Sequence, residues 1–194
     1  MKFSVLFSLL VLASAFTTAV VSFNVDTAES QVTWKGYKVT GSHEGTIAVK
    51  DGNLDFTDGR LTGGSFTIDM TTIDVTDLTA NQGKGKLEGH LKSADFFGVE
   101  KFPTATFRIS RAVPKGTPND YKIQGQLQIK EKIQPISFYA NVQERGNRVV
   151  ATADLQIDRT DFDVRYGSGS FFDNLGDKTI YDEFDLSIQL VANK

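Results

Sequence analysis

His43 and His90 are the only two imidazoles in a chain of 194 residues that contains no cysteine. Thiol nucleophiles, thiolate metal sites, disulfide scaffolds and an acylated N-terminal cysteine are therefore excluded. No serine sits in a Gly-x-Ser-x-Gly elbow, so hydrolase chemistry has little support. His43 beside Glu44, and His90 near Glu88, each fall short of the three or four ligands that a zinc site takes. Asp69, Asp74 and Asp77 lack the spacing and the glycine of a calcium loop and read as solvated strand-end residues. Gly83-Lys84-Gly85-Lys86 is glycine-rich and basic but lacks the phosphate-loop spacing, and reads as a flexible solvated loop.

Two charged spots carry more chemistry. Arg159 and Asp161 lie two apart at the end of the apolar run Val149, Ala151, Ala153, Leu155 and Ile157, so a continuing strand would project both from one face. On an apolar face such a pair is costly unless mutually satisfied or opposed to a polar ligand group. On an open face it is an ordinary strand-end pair. The second spot is Asp95-Phe96-Phe97 with Phe102-Pro103, an acid among three aromatics that either roofs an apolar cavity or anchors a helix to the core.

The elements that must position these residues are strands. From residue 24 onward apolar side chains recur at a period of two, which places them on one face of an extended chain. The runs are Val32 and Trp34; Phe66, Ile68 and Met70; Ala105, Phe107 and Ile109; Tyr121, Ile123, Leu127 and Ile129; Ile136, Phe138, Ala140 and Val142; and Phe184, Leu186, Ile188 and Leu190. Turn residues at Asp51-Gly52-Asn53, Asp58-Gly59, Pro118-Asn119-Asp120 and Arg145-Gly146-Asn147 predict consecutive hairpins. A short helix is predicted near 82–95, where Leu87, Leu91 and Ala94 recur at helical spacing, and a long loop over 167–179. The fold class is all-β, largely antiparallel, in one domain; periodicity alone does not choose a sandwich over a closed barrel.

Composition narrows the partners. Hydrophobic residues make up 40% and charged residues 23%, and 21 Lys+Arg against 24 Asp+Glu give a net charge of −3. A core can be buried, and no basic excess exists to track nucleic acid. Lys2 precedes the apolar run Phe3–Ala13 and then small residues, the pattern of a secretory signal peptide over 1–22, with the mature domain expected over 23–194. Cleavage after Ala15, Ala19 or Ser22 fits, with 19–22 favoured. The run is shorter than the roughly 20 residues that span a bilayer, so no stable membrane insertion is expected after its removal.

The segments His90-Leu91-Lys92-Ser93-Ala94-Asp95-Phe96-Phe97 and Glu100-Lys101-Phe102-Pro103-Thr104-Ala105-Thr106-Phe107 resemble the signature of the YceI-like family of exported polyisoprenoid-binding proteins. Ser30-Gln31-Val32-Thr33-Trp34, His43-Glu44-Gly45-Thr46-Ile47 and Asp158-Arg159-Thr160-Asp161-Phe162 with Tyr166 are similar to that family in its order, and the resemblance covers about residues 24–192. It departs at Lys130-Glu131-Lys132-Ile133-Gln134-Pro135, which puts the local turn in doubt. The resemblance implies a lipocalin-like antiparallel β-barrel of about eight strands, whose lumen takes a long isoprenoid or other lipid tail.

On that implication the chain is expected to be a non-enzymatic periplasmic or secreted lipid carrier of the bacterial envelope, needing no metal or cofactor. Trp34, Phe66, Phe97, Phe107, Phe138, Phe162 and Phe171 are the candidate lining, and His43, Arg159 and Asp161 the candidate polar end. The partner is an isoprenoid or other long-chain lipid, and a homodimer would cover an apolar rim. Two other readings stand beside it. One is a secreted interaction or stress-response module. The other is a small-lipid enzyme with His43 as acid or base, oriented by Asp161 or Asp95.

Overall fold

The computed structural model describes residues 18–194. The strands are β1 (Val20–Val25), β2 (Gln31–Lys38), β3 (Gly41–Thr57), β4 (Arg60–Val75), β5 (Thr104–Pro114), β6 (Asp120–Ile129), β7 (Lys132–Arg145), β8 (Arg148–Asp158) and β9 (Ile180–Asn193). Neighbouring strands pair antiparallel in the order β1-β3-β2-β9-β8-β7-β6-β5-β4, and a β3–β4 pairing closes the ring. β1 and β2 share one position between β3 and β9, because β1 pairs with Asn53–Thr57 of β3 and β2 with Gly41–Ile47. Between them Asp26 Oδ1 accepts from the backbone N–H of Ala28 and Glu29, a local turn that interrupts the line. The result is a closed eight-position barrel, which decides the choice that periodicity left open.

The leader expected over 1–22 lies outside the described residues as far as 17. Its last part does not: Val20–Ser22 belong to β1, where Ser22 Oγ donates to Asp55 Oδ1 at 2.8 Å and Phe23 is 1% exposed against Phe56. β1 thus begins three residues ahead of the expected domain start.

Every alternating run read from the sequence turns its apolar face into the barrel, where the inner residues form two packed clusters. Asp58 and Gly59 make a two-residue turn with φ of 51° and 71°, and Gly146 (φ 65°) opens another. The doubtful segment after Ile129 is a tight hairpin too, with Lys130 held at φ 55°. Asp51-Gly52-Asn53 is not a turn. It lies inside the 17-residue β3, beside a register shift, and Gly52 is there because a Cβ would stand 2.7 Å from the Phe66 ring and 2.8 Å from Ser65 O.

The lower end has a different construction. A short 3₁₀ turn at Ala80–Gln82 leads into helix α1 (Lys84–Lys92), so the segment 83–86 opens a helix instead of forming a loop. Lys84 Nζ meets Asp74 Oδ1 at 2.8 Å, and Glu88 Oε1 accepts from the Val75 N–H at 3.0 Å, which fastens α1 to β4. Asp74 is consequently a tether and not merely a solvated strand end.

Candidate functional site

The interior of the barrel is the candidate site. Two chambers occupy it, an upper one of about 130 Å³ and a lower one of about 160 Å³. Val32, Ile68, Leu127 and Leu186 border both, so the chambers meet at a waist of four aliphatic side chains. Volumes of this size with such walls stay dry and accept apolar guests.

Phe66, Phe107 and Phe138 line the upper chamber together with aliphatic residues such as Ile123. The Phe66 and Phe107 rings stack with centroids 6.5 Å apart, and Phe107 meets Phe138 at 5.5 Å. Gly125 is the inward position between Ile123 and Leu127, and its missing side chain is what admits Phe107: a Cβ would stand 2.4 Å from Phe107 Cζ.

Trp34 and Phe97 line the lower chamber with Ile47, Met70, Leu91 and Phe96. Trp34 Nε1 donates to Thr46 O at 3.2 Å, which satisfies its only polar atom. Arg159 borders this chamber although it is only 3% exposed. Its Nε donates to Tyr181 O (3.1 Å), Nη1 to Val164 O (2.6 Å), and Nη2 to Ile180 O (3.0 Å) and Asp182 Oδ1 (3.3 Å). Burial pushes the guanidinium below its ordinary value, and the charges of Asp182 and Asp158 pull the other way. Phe96 lies under the guanidinium at 5.5 Å. One side chain thus ties the connection after β8 to the start of β9 and gives the lower chamber its polar spot.

The other expected site residues lie elsewhere. The chain does not continue as a strand past Asp158. A 3₁₀ turn over Arg159–Phe162, capped by Asp158 accepting from the Thr160 N–H, rotates Arg159 inward and leaves Asp161 exposed. The shared face expected of Arg159 and Asp161 is therefore absent. Phe162 is 1% exposed and packs into the lower core without bordering either chamber. Phe171 is 45% exposed, with Arg165 over its ring at 4.4 Å. His43 Nδ1 lies 2.9 Å from Asp77 Oδ2, outside both chambers, and this contact helps hold the Asp77 carboxyl below its ordinary value against the opposing effect of burial. Among the described residues no group of three His, Asp or Glu is placed to hold a metal.

Sequence reasoning missed the aliphatic waist and the segment Ile180–Glu183. The waist residues share the inward parity of their runs, but as plain aliphatics they carry no aromatic or charged group that sets them apart from ordinary core. No sequence signal folds 180–183 back onto Arg159.

β7 and β8 pair only between Asn141–Arg145 and Arg148–Thr152. Below that point no ladder joins them among the described residues. The ladder is slit there: the unpaired stretch is flanked by Ile136 and Phe138 on one side and Ala153 and Leu155 on the other, all four of which line the upper chamber. Gln134 Nε2 donates to Asp161 O at 3.0 Å and bounds the slit from below.

A closed antiparallel barrel around a lumen lined almost wholly by hydrocarbon defines a lipocalin-like class of binding fold. The chain belongs to the YceI-like domain family, whose model matches residues 23–192. A UPF0312 protein of Pseudomonas putida (strain W619) is 25% identical over 156 residues, covering 77% of this chain and 74% of that protein. One from Vibrio cholerae is 23% identical over 173 residues, covering 84% and 88%. Among solved structures, Burkholderia cenocepacia BcnA is similar with a TM-score of 0.69 at 25% identity, covering 87% of this chain and 99% of that one. A polyisoprenoid binding domain from Saccharophagus degradans has the same fold, with a TM-score of 0.64 at 14% identity over 88% of this chain and 97% of that one.

Proposed function

We propose that the protein is an exported, non-enzymatic lipid carrier that holds one long isoprenoid or acyl chain in the barrel. The observation that carries this reading is the apolar lumen, two chambers that share four aliphatic lining residues, with one cationic side chain on the border of the lower one. Each buried methylene contributes about 0.8 kcal/mol, so burial of a chain alone gives substantial affinity without a catalytic group. Among the described residues, Trp34 Nε1 donates to Thr46 O and Arg159 to three backbone carbonyls and Asp182, contacts that position side chains instead of activating a nucleophile. Likeness to a polyisoprenoid binding domain supports an isoprenoid as cargo. Lys2 and the apolar run after it support export to the bacterial envelope. No helix among the described residues is long and apolar enough to cross a membrane.

The test is organic extraction of the protein purified from its native envelope, followed by mass spectrometry. A polyprenyl, quinone or acyl species recovered at one per chain is the expected result. Folded protein that yields none, and takes up none after delipidation, overturns the reading in favour of an interaction module.

A further inference from the structure

Among the described residues Arg159 and Glu183 are the only charged side chains that border either chamber. Glu183 is exposed at the lower rim, and Asp182 already neutralises the guanidinium at 3.3 Å. The four hydrogen bonds that Arg159 makes leave one of its five N–H groups, on Nη1, without a partner among the described residues. A phosphate or diphosphate needs several donors and net positive charge once it is withdrawn from water. Here it would find one donor, a compensated cation and an opposing carboxylate. Resting on the carrier reading above, we propose that the lower chamber receives an uncharged lipid head, whose hydroxyl or carbonyl oxygen accepts from Arg159 Nη1, and rejects the phosphorylated form of the same lipid. Geranylgeraniol and geranylgeranyl diphosphate share one tail and test this by competition against a fluorescent fatty acid on delipidated protein. The alcohol is expected to bind roughly tenfold tighter or better. E183K, which reverses the rim charge, should narrow that ratio. Equal or tighter binding of the diphosphate overturns the head assignment alone, whereas failure of both compounds and of the fatty acid overturns the carrier reading beneath it.

The slit between β7 and β8 carries a second inference independently. Hairpin turns, with Phe23, Phe56 and Tyr121 buried beneath them, close the upper end, and α1 packs on β4 at the lower end. The side of the barrel is where pairing stops and where only the apolar side chains of Ile136, Phe138, Ala153 and Leu155, with no backbone ladder, flank the lumen. We infer that the chain is threaded into the lumen sideways through this slit. Extending the register of Asn141 with Thr152 puts the exposed Ser137 opposite the exposed Gln156. In the S137C/Q156C double variant of this cysteine-free chain, a short bis-maleimide bridge should slow uptake of the fluorescent fatty acid by roughly tenfold or more without changing final occupancy, since the barrier rises while the bound state is untouched. Each single variant capped with a mono-maleimide should load at the normal rate. A bridged protein that also loads at the normal rate excludes the slit as the route.

Discussion

The two chambers differ in what closes them. The upper one is walled by strands joined through tight hairpins, with pairing interrupted at one place, below Asn141 and Thr152 between β7 and β8, and among the described residues its borders carry no charged group. The lower one is covered by α1 and by the connection from Arg159 to Thr179, segments that belong mostly to no ladder and are held by a few specific side chains. Alternation thus builds a wall but does not cap it. The upper chamber should therefore respond to changes in volume, and the lower chamber to the loss of single polar contacts.

The largest effect is expected for Arg159→Ala. It removes the anchor of three backbone carbonyls and leaves Asp182 without its cation, at a cost of roughly 3–5 kcal/mol for a broken buried pair. Denaturant unfolding measures this, and hydrogen exchange should show the loss concentrated at 163–182. Equal loosening of the upper hairpins would break the contrast between the chambers.

Gly125→Ala tests the upper chamber in the same way. The added methyl must displace Phe107 or the Arg108 carbonyl, for a cost of about 1–3 kcal/mol. Affinity should fall more for long chains than for short ones that fit below the waist, as titration with fatty acids of graded length would report.

Acid should loosen the lower cover first. The Lys84 ammonium beside Asp74 holds its carboxyl below the ordinary value. A carboxylate with a depressed folded pKa contributes stability that is present above its unfolded value, about 3.9 for Asp, and is lost as the pH falls through the folded value. Protection of α1 amides should therefore drop below about pH 4 while the strands of the upper chamber remain protected. Asp74→Asn should remove that pH dependence.

The smallest effect bears on the scaffold that both chambers share. Lys130 occupies a left-handed conformation in the β6–β7 hairpin, so Lys130→Gly should stabilise the fold by about 0.5–1 kcal/mol. Thermal melting should shift upward with binding of short and long chains unchanged.

Much of the wall was legible in the residues themselves. Phe66, Ile68 and Met70, or Phe184, Leu186 and Ile188, alternate so regularly that a half-buried strand is the only economical reading, and each run faces inward as a unit. Trp34, Phe97, Phe107 and Arg159 were legible as residues bordering a cavity, though not which chamber each would meet. Gly52 misled because a glycine next to Asp and Asn signals a turn, while here it serves a close approach to a side chain distant in sequence. Asp161 misled because a 3₁₀ turn replaces the two-residue period at that point, and Phe171 because aromatic character alone does not say whether a loop residue turns inward.

Strand alternation, the all-β class, most hairpin positions and the hydrocarbon character of the interior are written in the residues themselves, because these depend on contacts between near neighbours and on local backbone preference. The tertiary structure alone decided closure through β3 and β4, the waist that joins the chambers, the unpaired slit between β7 and β8, and the burial of Arg159 beneath Ile180–Asp182. Each of these requires segments far apart in the chain to meet, and the energy of such a meeting comes from shape and pairing that no local pattern encodes.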